Sequence, residues 1–294
     1  MDLDKGKVTA LISLLDDPDE NVFDHIKVEL ESYGKDVIPL LEDAWEHQSF
    51  GVLYQSRIEN IVHNIQFELV KHSLADWIES SEKDLLDACI IIAQYQYPDL
   101  DKAAIYSYFA KLEKDIWIEL NDGLTALEKL KIMNHIIFDV HDFKGNTSNY
   151  HSPDNSFINR VIEFKKGNPI SLSIVYLILA NRLQLPIHGV NLPRHFILAW
   201  GDDYQLGTNK DHNNHEILFY INPFSGGSVF GKNDINSFLK ELHLKPHPMF
   251  FLPCSNYDII TRSLNNLIHS FDKNGNSEKA DEIRELQKIV NQAK

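Results

Sequence analysis

Few side chains in this chain have both the type and the setting for covalent or acid–base chemistry. His195 is the clearest, at the head of the predicted strand His195–Trp200, where an imidazole could serve as a general base. Ser171 is a hydroxyl in the first turn of a strongly apolar helix, and it would need an oriented base to act as a nucleophile. The thiols are Cys89 and Cys254. Cys89 stands between Ala88 and Ile90-Ile91-Ile92 in a helical run, the setting of a buried structural thiol, because a reactive one needs partial exposure and a positive environment. Cys254 is the better placed of the two for reactivity. Asp211-His212-Asn213-Asn214-His215-Glu216 packs two imidazoles and two carboxylates into six residues, but it lacks the second ligand pair of a structural zinc site. No metal is expected. No glycine-rich phosphate loop follows a strand and no dinucleotide fingerprint occurs, so no cofactor is expected either.

The elements that must position these residues are legible around Gly167–Trp200. Asn168 can cap a helix with its side-chain oxygen, and Pro169 at the first helical position loses only an N–H that has no intrahelical partner. Ile170–Leu183 is apolar on nearly every face, which predicts a buried helix ended by Leu185-Pro186. Strands are predicted over Ile187–Asn191, His195–Trp200 and Glu216–Asn222, the last stopped by Pro223 and Gly226-Gly227. Upstream the chain reads as helical. The stretch from Leu14 to Trp45 resembles one HEAT-type helical pair, with an Asp-rich turn and an Ile-Pro inside its second helix. Further helices are predicted over Val52–Val70 (continued or followed by Ser73–Ile78), Asp84–Gln96, Asp101–Leu120 and Thr125–Val140. Phe143–Ser156 reads as a polar loop and Asn233–Leu242 as a short helix. Asp258–Asp272 and Ser277–Ala293 are predicted as two C-terminal helices with facing apolar stripes of Leu264, Leu267, Ala280, Ile283, Leu286 and Ile289, and they resemble a single tetratricopeptide-type pair.

A length of 294 residues suggests two domains, or one with a helical extension, and 43% hydrophobic content suffices for packed cores. The formal net charge of −15 argues against a nucleic-acid or anionic-membrane surface. Two cysteines make no disulfide framework, the first residues do not read as a secretory signal, and no apolar run has transmembrane length. A cytoplasmic protein is expected.

A set of motifs in order carries a family resemblance: Phe143-x-Gly145-Asn146, Tyr150, Asn155-Ser156, Gly167-Asn168-Pro169-Ile170-Ser171-Leu172, Tyr176, Ala180, Leu185-Pro186, Gly189-Val190, Pro193-x-His195-Phe196 and Asn222-Pro223-Phe224-x-Gly226-Gly227. From about Asp84 to about Pro253 the chain resembles the transglutaminase-like superfamily, and within it the SirB-type branch found in bacteria. The resemblance implies an α+β fold. A mostly helical N-terminal region (1–82) precedes a papain/transglutaminase-like core with a small antiparallel sheet (83–254) and a C-terminal helical hairpin (255–294).

The superfamily places a Cys at a helix N-terminus, a His on one strand and an Asp on the next. Laid on this sequence without a gap, Gly167, Ser173, Tyr176 and Pro186 match that pattern, the nucleophile position falls on Pro169 and the carboxylate position on Asn222. Of the catalytic set only His195 remains. The expectation is a degenerate, non-catalytic module that binds a protein or peptide, with Asn146, Tyr150, Asn155, Asn168, Pro169 and Tyr176 around the cleft. The alternative is an amide-bond hydrolase or acyltransferase using His195, Asn222 as its orienting partner, and Ser171 as nucleophile. If His195 is structural, its imidazole is expected to hydrogen-bond Asn222 across neighbouring strands.

Overall fold

Short polar side chains start most of the helices. Asp4, Asp19, Asp84 and Asp101 each accept a backbone N–H from the first turn that follows. Thr125 with Glu128, and Ser255 with Asp258, form reciprocal capping boxes. The computed structural model describes residues 4–47, 51–201 and 217–292, and the chain divides into two compact units, 1–73 and 74–294.

The first unit contains Lys5–Ser13 (α1), Glu20–Ser32 (α2), Ile38–His47 (α3) and the beginning of Val52–Glu79 (α4). Its core joins Val8, Ile12 and Leu15 to Ile26, Leu30, Val37, Leu41, Tyr54, Ile58 and Ile61. Pro39 lies inside the second helix of the pair, as the sequence suggested. It falls in the first turn of α3, where a missing N–H costs nothing, and Gly34, at φ 59°, turns the chain after α2. The Arg57 guanidinium is buried here. It donates to the carbonyls of Leu15 at 2.9 Å and Asp17 at 2.7 Å, pairs with Glu20 at 2.8 Å and lies over the Phe23 ring. One side chain thus fixes the Asp-rich turn between α1 and α2.

The second unit packs Leu85–Gln96 (α5), Lys102–Trp117 (α6), Ala126–Asn134 (α7) and Ile158–Phe164 (α8) around Pro169–Arg182 (α9). Every residue of α9 from Pro169 to Ala180 is buried, as its all-round apolar sequence requires. The helix α7 runs on through Val140 as a single π-helical stretch, in which His141 N–H donates to Ile136 O. Two short strands, Lys144–Gly145 (β1) and Lys166–Gly167 (β2), pair in parallel. Their pairing was not legible in the sequence.

Ile187–Val190 (β3), Ile197–Gly201 (β4), Ile217–Asn222 (β5) and Ser228–Phe230 (β6) form an antiparallel sheet in sequence order. Three of these strands match expectation within two residues, and β6 is additional. It arises because Gly226 and Gly227, both at positive φ, fold the chain back so that Ser228 pairs with Asn222. One sheet face packs through Val190, Ile197, Ala199 and Tyr220 on Ile235 and Leu239 of Lys232–Glu241 (α10). The C-terminal hairpin of Asn256–Lys273 (α11) and Ser277–Gln292 (α12) buries Leu264, Leu267, Ala280, Ile283 and Leu286, with Val290 in place of the expected Ile289.

Lys165 ends α8 in a left-handed conformation at φ 56°. Its ammonium lies 3.8 Å from the centre of the Tyr108 ring, and it donates to the Tyr108 hydroxyl. That hydroxyl contacts His141 Nδ1 at 3.3 Å, and His141 Nε2 contacts Asp115 at 3.0 Å. This run of polar contacts anchors the turn that delivers β2 to α9.

Candidate functional site

The N-terminus of α9 is closed by its own side chains. Asn168 Oδ1 accepts Ser171 N–H at 2.9 Å, and Ser171 Oγ accepts Asn168 N–H at 3.0 Å. Asn168 Nδ2 donates to Ser156 Oγ at 3.0 Å. Pro169 is the first residue of the helix and is buried. Ser173 turns its hydroxyl back onto Pro169 O at 2.7 Å. Gly167 must be glycine, because a Cβ there would lie 2.5 Å from Ser171 Oγ and 3.1 Å from Leu172 Cγ.

The loop before α8 is stitched to this terminus. Asn146 N–H donates to Gly167 O at 2.9 Å, extending the β1–β2 pairing. Asn146 Nδ2 donates to Asn155 Oδ1 at 2.8 Å, and Asn155 Nδ2 donates to the carbonyls of Asn149 at 2.7 Å and Tyr150 at 3.1 Å. Both asparagines therefore shape the loop, and Asn155 is 2% exposed. The loop presents Tyr150, 44% exposed, edge-on to Phe224 with ring centres 6.0 Å apart. Phe224 in turn sits against Gly145, where a Cβ would approach its ring to 2.7 Å. Tyr176 makes no hydrogen bond to this loop among the described residues. It is fully buried, and its hydroxyl donates to Asn134 Oδ1 at 3.0 Å while Asn134 Nδ2 donates to Gly227 O at 3.0 Å.

His195 lies two residues ahead of β4 and not in it. Arg194 takes a left-handed conformation at φ 60°, and His195 N–H closes a turn onto Leu192 O at 3.0 Å. The half-buried ring stands 6.0 Å from Phe238 between centres. Burial first, and the Arg262 charge second, lower its pKa below the ordinary imidazole value. The shift favours the uncharged ring, whose buried Nδ1 has no hydrogen-bond partner among the described residues. Asn222 ends β5, and the register Leu198↔Ile221 sets it at the same end of the inner strands as His195. Its Nδ2 donates to Ser225 Oγ at 3.1 Å, while its buried Oδ1 has no partner among the described residues. The expected His195–Asn222 hydrogen bond is therefore not made. The turn at Arg194 carries the imidazole off the strand, and the amide is held by Ser225. No hydrogen bond joins Ser171 to His195 among the described residues.

Cys89 is buried and its thiol is pushed far up by burial, with Asp84 adding to the shift. Cys254 is half-buried, and its N–H donates to Gly189 O at 2.8 Å. Neither lies at the start of α9. Among the described residues no three His, Cys, Asp or Glu side chains converge as a metal ligand set, and no helix is long and apolar enough to cross a membrane. The stretch Asp211–Glu216 lies outside the described residues.

One residue was missed from sequence. Arg262, on α11, is half-buried and donates to Asn191 Oδ1 at 3.3 Å, just past the end of β3. Its charge acts on His195, and the Tyr150 phenol acts on it. The available signal was an arginine three residues beyond Ile259, beside an apolar stripe.

A family model of the transglutaminase-like superfamily matches residues 103–265. A UPF0162 protein of Xylella fastidiosa strain 9a5c is 27% identical over 214 residues, 68% of this chain and 68% of that protein. A second, from strain Temecula1, is 29% identical over 154 residues, 51% of this chain and 49% of that protein. Mouse F-box only protein 21 is 27% identical over 179 residues, 53% of this chain and 27% of that protein. No solved structure matches. The chain belongs to the transglutaminase-like superfamily and is similar to its SirB-type branch.

Proposed function

We propose that this protein is a non-catalytic module that uses a transglutaminase-like core to bind a protein or peptide. The observation that carries this reading is the start of α9. The position that aligns with the superfamily nucleophile holds Pro169, buried, and the neighbouring hydroxyl of Ser171 is engaged in the helix cap. A serine acts as nucleophile only when a base can take its proton, and Ser171 Oγ instead accepts from Asn168 N–H and faces Asn168 O at 3.3 Å. The cleft edge offers an exposed aromatic in Tyr150, a ring type enriched where proteins meet partners.

The test is mass-spectrometric assay of peptide cleavage and amine incorporation by wild type and His195→Ala. The reading expects no turnover that depends on His195. Turnover lost in a folded His195→Ala variant overturns it.

A specific observation favours a second reading, an amide-bond hydrolase or acyltransferase. His195 Nδ1 and Asn222 Oδ1 are both buried without partners among the described residues, at one end of the inner strands. Such groups are costly to leave unsatisfied and cluster at sites that a ligand completes. The same assay separates the two readings.

A further inference from the structure

We infer that Arg262, Asn191, His195 and Tyr150 form a recognition site for a carboxylate carried by the peptide partner. The inference rests on the reading of this cleft as a binding module and names the chemistry of what it binds.

The protein has 43 acidic residues against 28 basic ones, so a guanidinium has many carboxylates to choose from. Arg57, Arg160, Arg182 and Arg284 each take one, while Arg194, which takes none among the described residues, is exposed to solvent. Arg262 is half-buried, and among the described residues it contacts no carboxylate, only the neutral oxygen of Asn191 at 3.3 Å. That is long for a charge-assisted bond, which closes to about 2.8 Å when a carboxylate accepts it. Burial lowers the Arg262 pKa and Tyr150 opposes that only in part, so its desolvation is incompletely offset from within the protein. Among the described residues Asn191 is the one acceptor the guanidinium engages, which leaves donors for a ligand.

Three segments distant in sequence meet α11 here: Asn191 bonds Arg262 at 3.3 Å, His195 closes the turn that follows Asn191, and the Tyr150 loop reaches α11 through His151, whose ring centre lies 5.5 Å from that of His269. The Asn146–Asn155 network holds the loop that presents Tyr150. The end of β3 supplies Asn191, the turn at Arg194 brings His195, and α11 supplies Arg262. Cys254 N–H donating to Gly189 O, together with Ile259 against Gly189, seats α11 on β3. Neutral His195 can donate one N–H to an oxygen held by Arg262, which gives the buried ring a polar partner.

A carboxylate fits better than a phosphate. One planar guanidinium matches one carboxylate through two parallel bonds. A dianion would need a second cation and would meet a protein of net charge −15. The carboxylate can belong to the C-terminus of a peptide or to an acidic side group within it.

The experiment follows the His195 imidazole resonances of the full-length protein by NMR, assigned with His195→Gln. The titrants are N-acetyl-Ala-Ala-Ala with a free C-terminus, the same peptide as its amide, N-acetyl-Ala-Glu-Ala amide, and inorganic phosphate. The expected result is saturable shifts with one or both carboxylate peptides, at least tenfold tighter than the neutral amide. The arm that binds tells C-terminus from acidic side group. Arg262→Gln should weaken that binding at least tenfold. Arg262→Lys, which keeps the charge but not the fork, should weaken it by a smaller factor. Equal binding of the neutral amide, unchanged binding to Arg262→Gln, or tighter binding of phosphate overturns the site. The same samples are checked by mass for cleavage. Cleaved peptides would sink the non-catalytic reading while leaving the carboxylate site standing.

Discussion

Replacing Ser171 by Ala separates a capping hydroxyl from a catalytic one. The variant removes the acceptor of Asn168 N–H, a bond of 3.0 Å within a residue that is 5% exposed. A buried donor left unsatisfied costs about 1–3 kcal/mol, and the better helix propensity of Ala returns about 0.5 kcal/mol. The net loss is about 0.5–2.5 kcal/mol, centred near 1.5. For a unit of this size that is about 1–10 °C in Tm. Asn168→Ala removes the acceptor of Ser171 N–H and the donor to Ser156, for about 2 kcal/mol. The two residues bond reciprocally, so the double variant should fall short of the sum by about 0.5–1 kcal/mol. Gly167→Ala provides an internal check. Its Cβ would meet Ser171 Oγ at 2.5 Å, so it should destabilise wild type more than the Ser171→Ala background. Urea unfolding followed by tryptophan fluorescence is the assay, since Trp77, Trp117 and Trp200 all belong to the second unit. A Ser171→Ala variant of wild-type stability, within about 0.5 kcal/mol, would refute the capping account.

Three further outcomes are expected. Arg57→Met leaves two carbonyls of the Asp-rich turn without their charged donor and should destabilise the first unit by about 3 kcal/mol, with the 74% exposed Glu20 arm adding little. Amide hydrogen exchange across 4–47 reads this, and unchanged protection there would count against it. Burial lowers the pKa of both His188 and His195, so the folded protein holds fewer protons than the unfolded chain once pH drops under about 6.5. Stability is therefore full above that pH and lost as pH falls through the lowered values. His195→Gln should flatten the decline in urea midpoint between pH 7.5 and 5.5, and an unchanged decline would show the ring is not a contributor. Iodoacetamide should alkylate Cys254 well before buried Cys89 in the native protein, and both in urea; equal native rates would contradict the packing of α5.

Most of the architecture follows from local chemistry. Asp84, Asp101, Thr125 and Asn168-Pro169 each mark a helix start because capping is decided within four residues. The buried helix α9 was legible because a helix apolar on all sides has nowhere else to go. The failures are non-local. The strands β1 and β2 are two residues each and exist only through pairing with one another. His195 was read into a strand because nothing in Pro193-Arg194-His195 announces that Arg194 takes positive φ. At the site, the sequence singled out asparagines that turn out to hydrogen-bond within their own loop. It passed over Arg262 because its setting depends on β3, the Arg194 turn and the Tyr150 loop converging from three other parts of the protein.

The most direct test of the central claim is intact-mass analysis after treatment with a serine-directed fluorophosphonate. The account holds that the start of α9 is a closed cap with no reactive nucleophile, so it predicts no added mass on the folded protein. A stoichiometric adduct mapped to Ser171, and absent from His195→Ala, would contradict it.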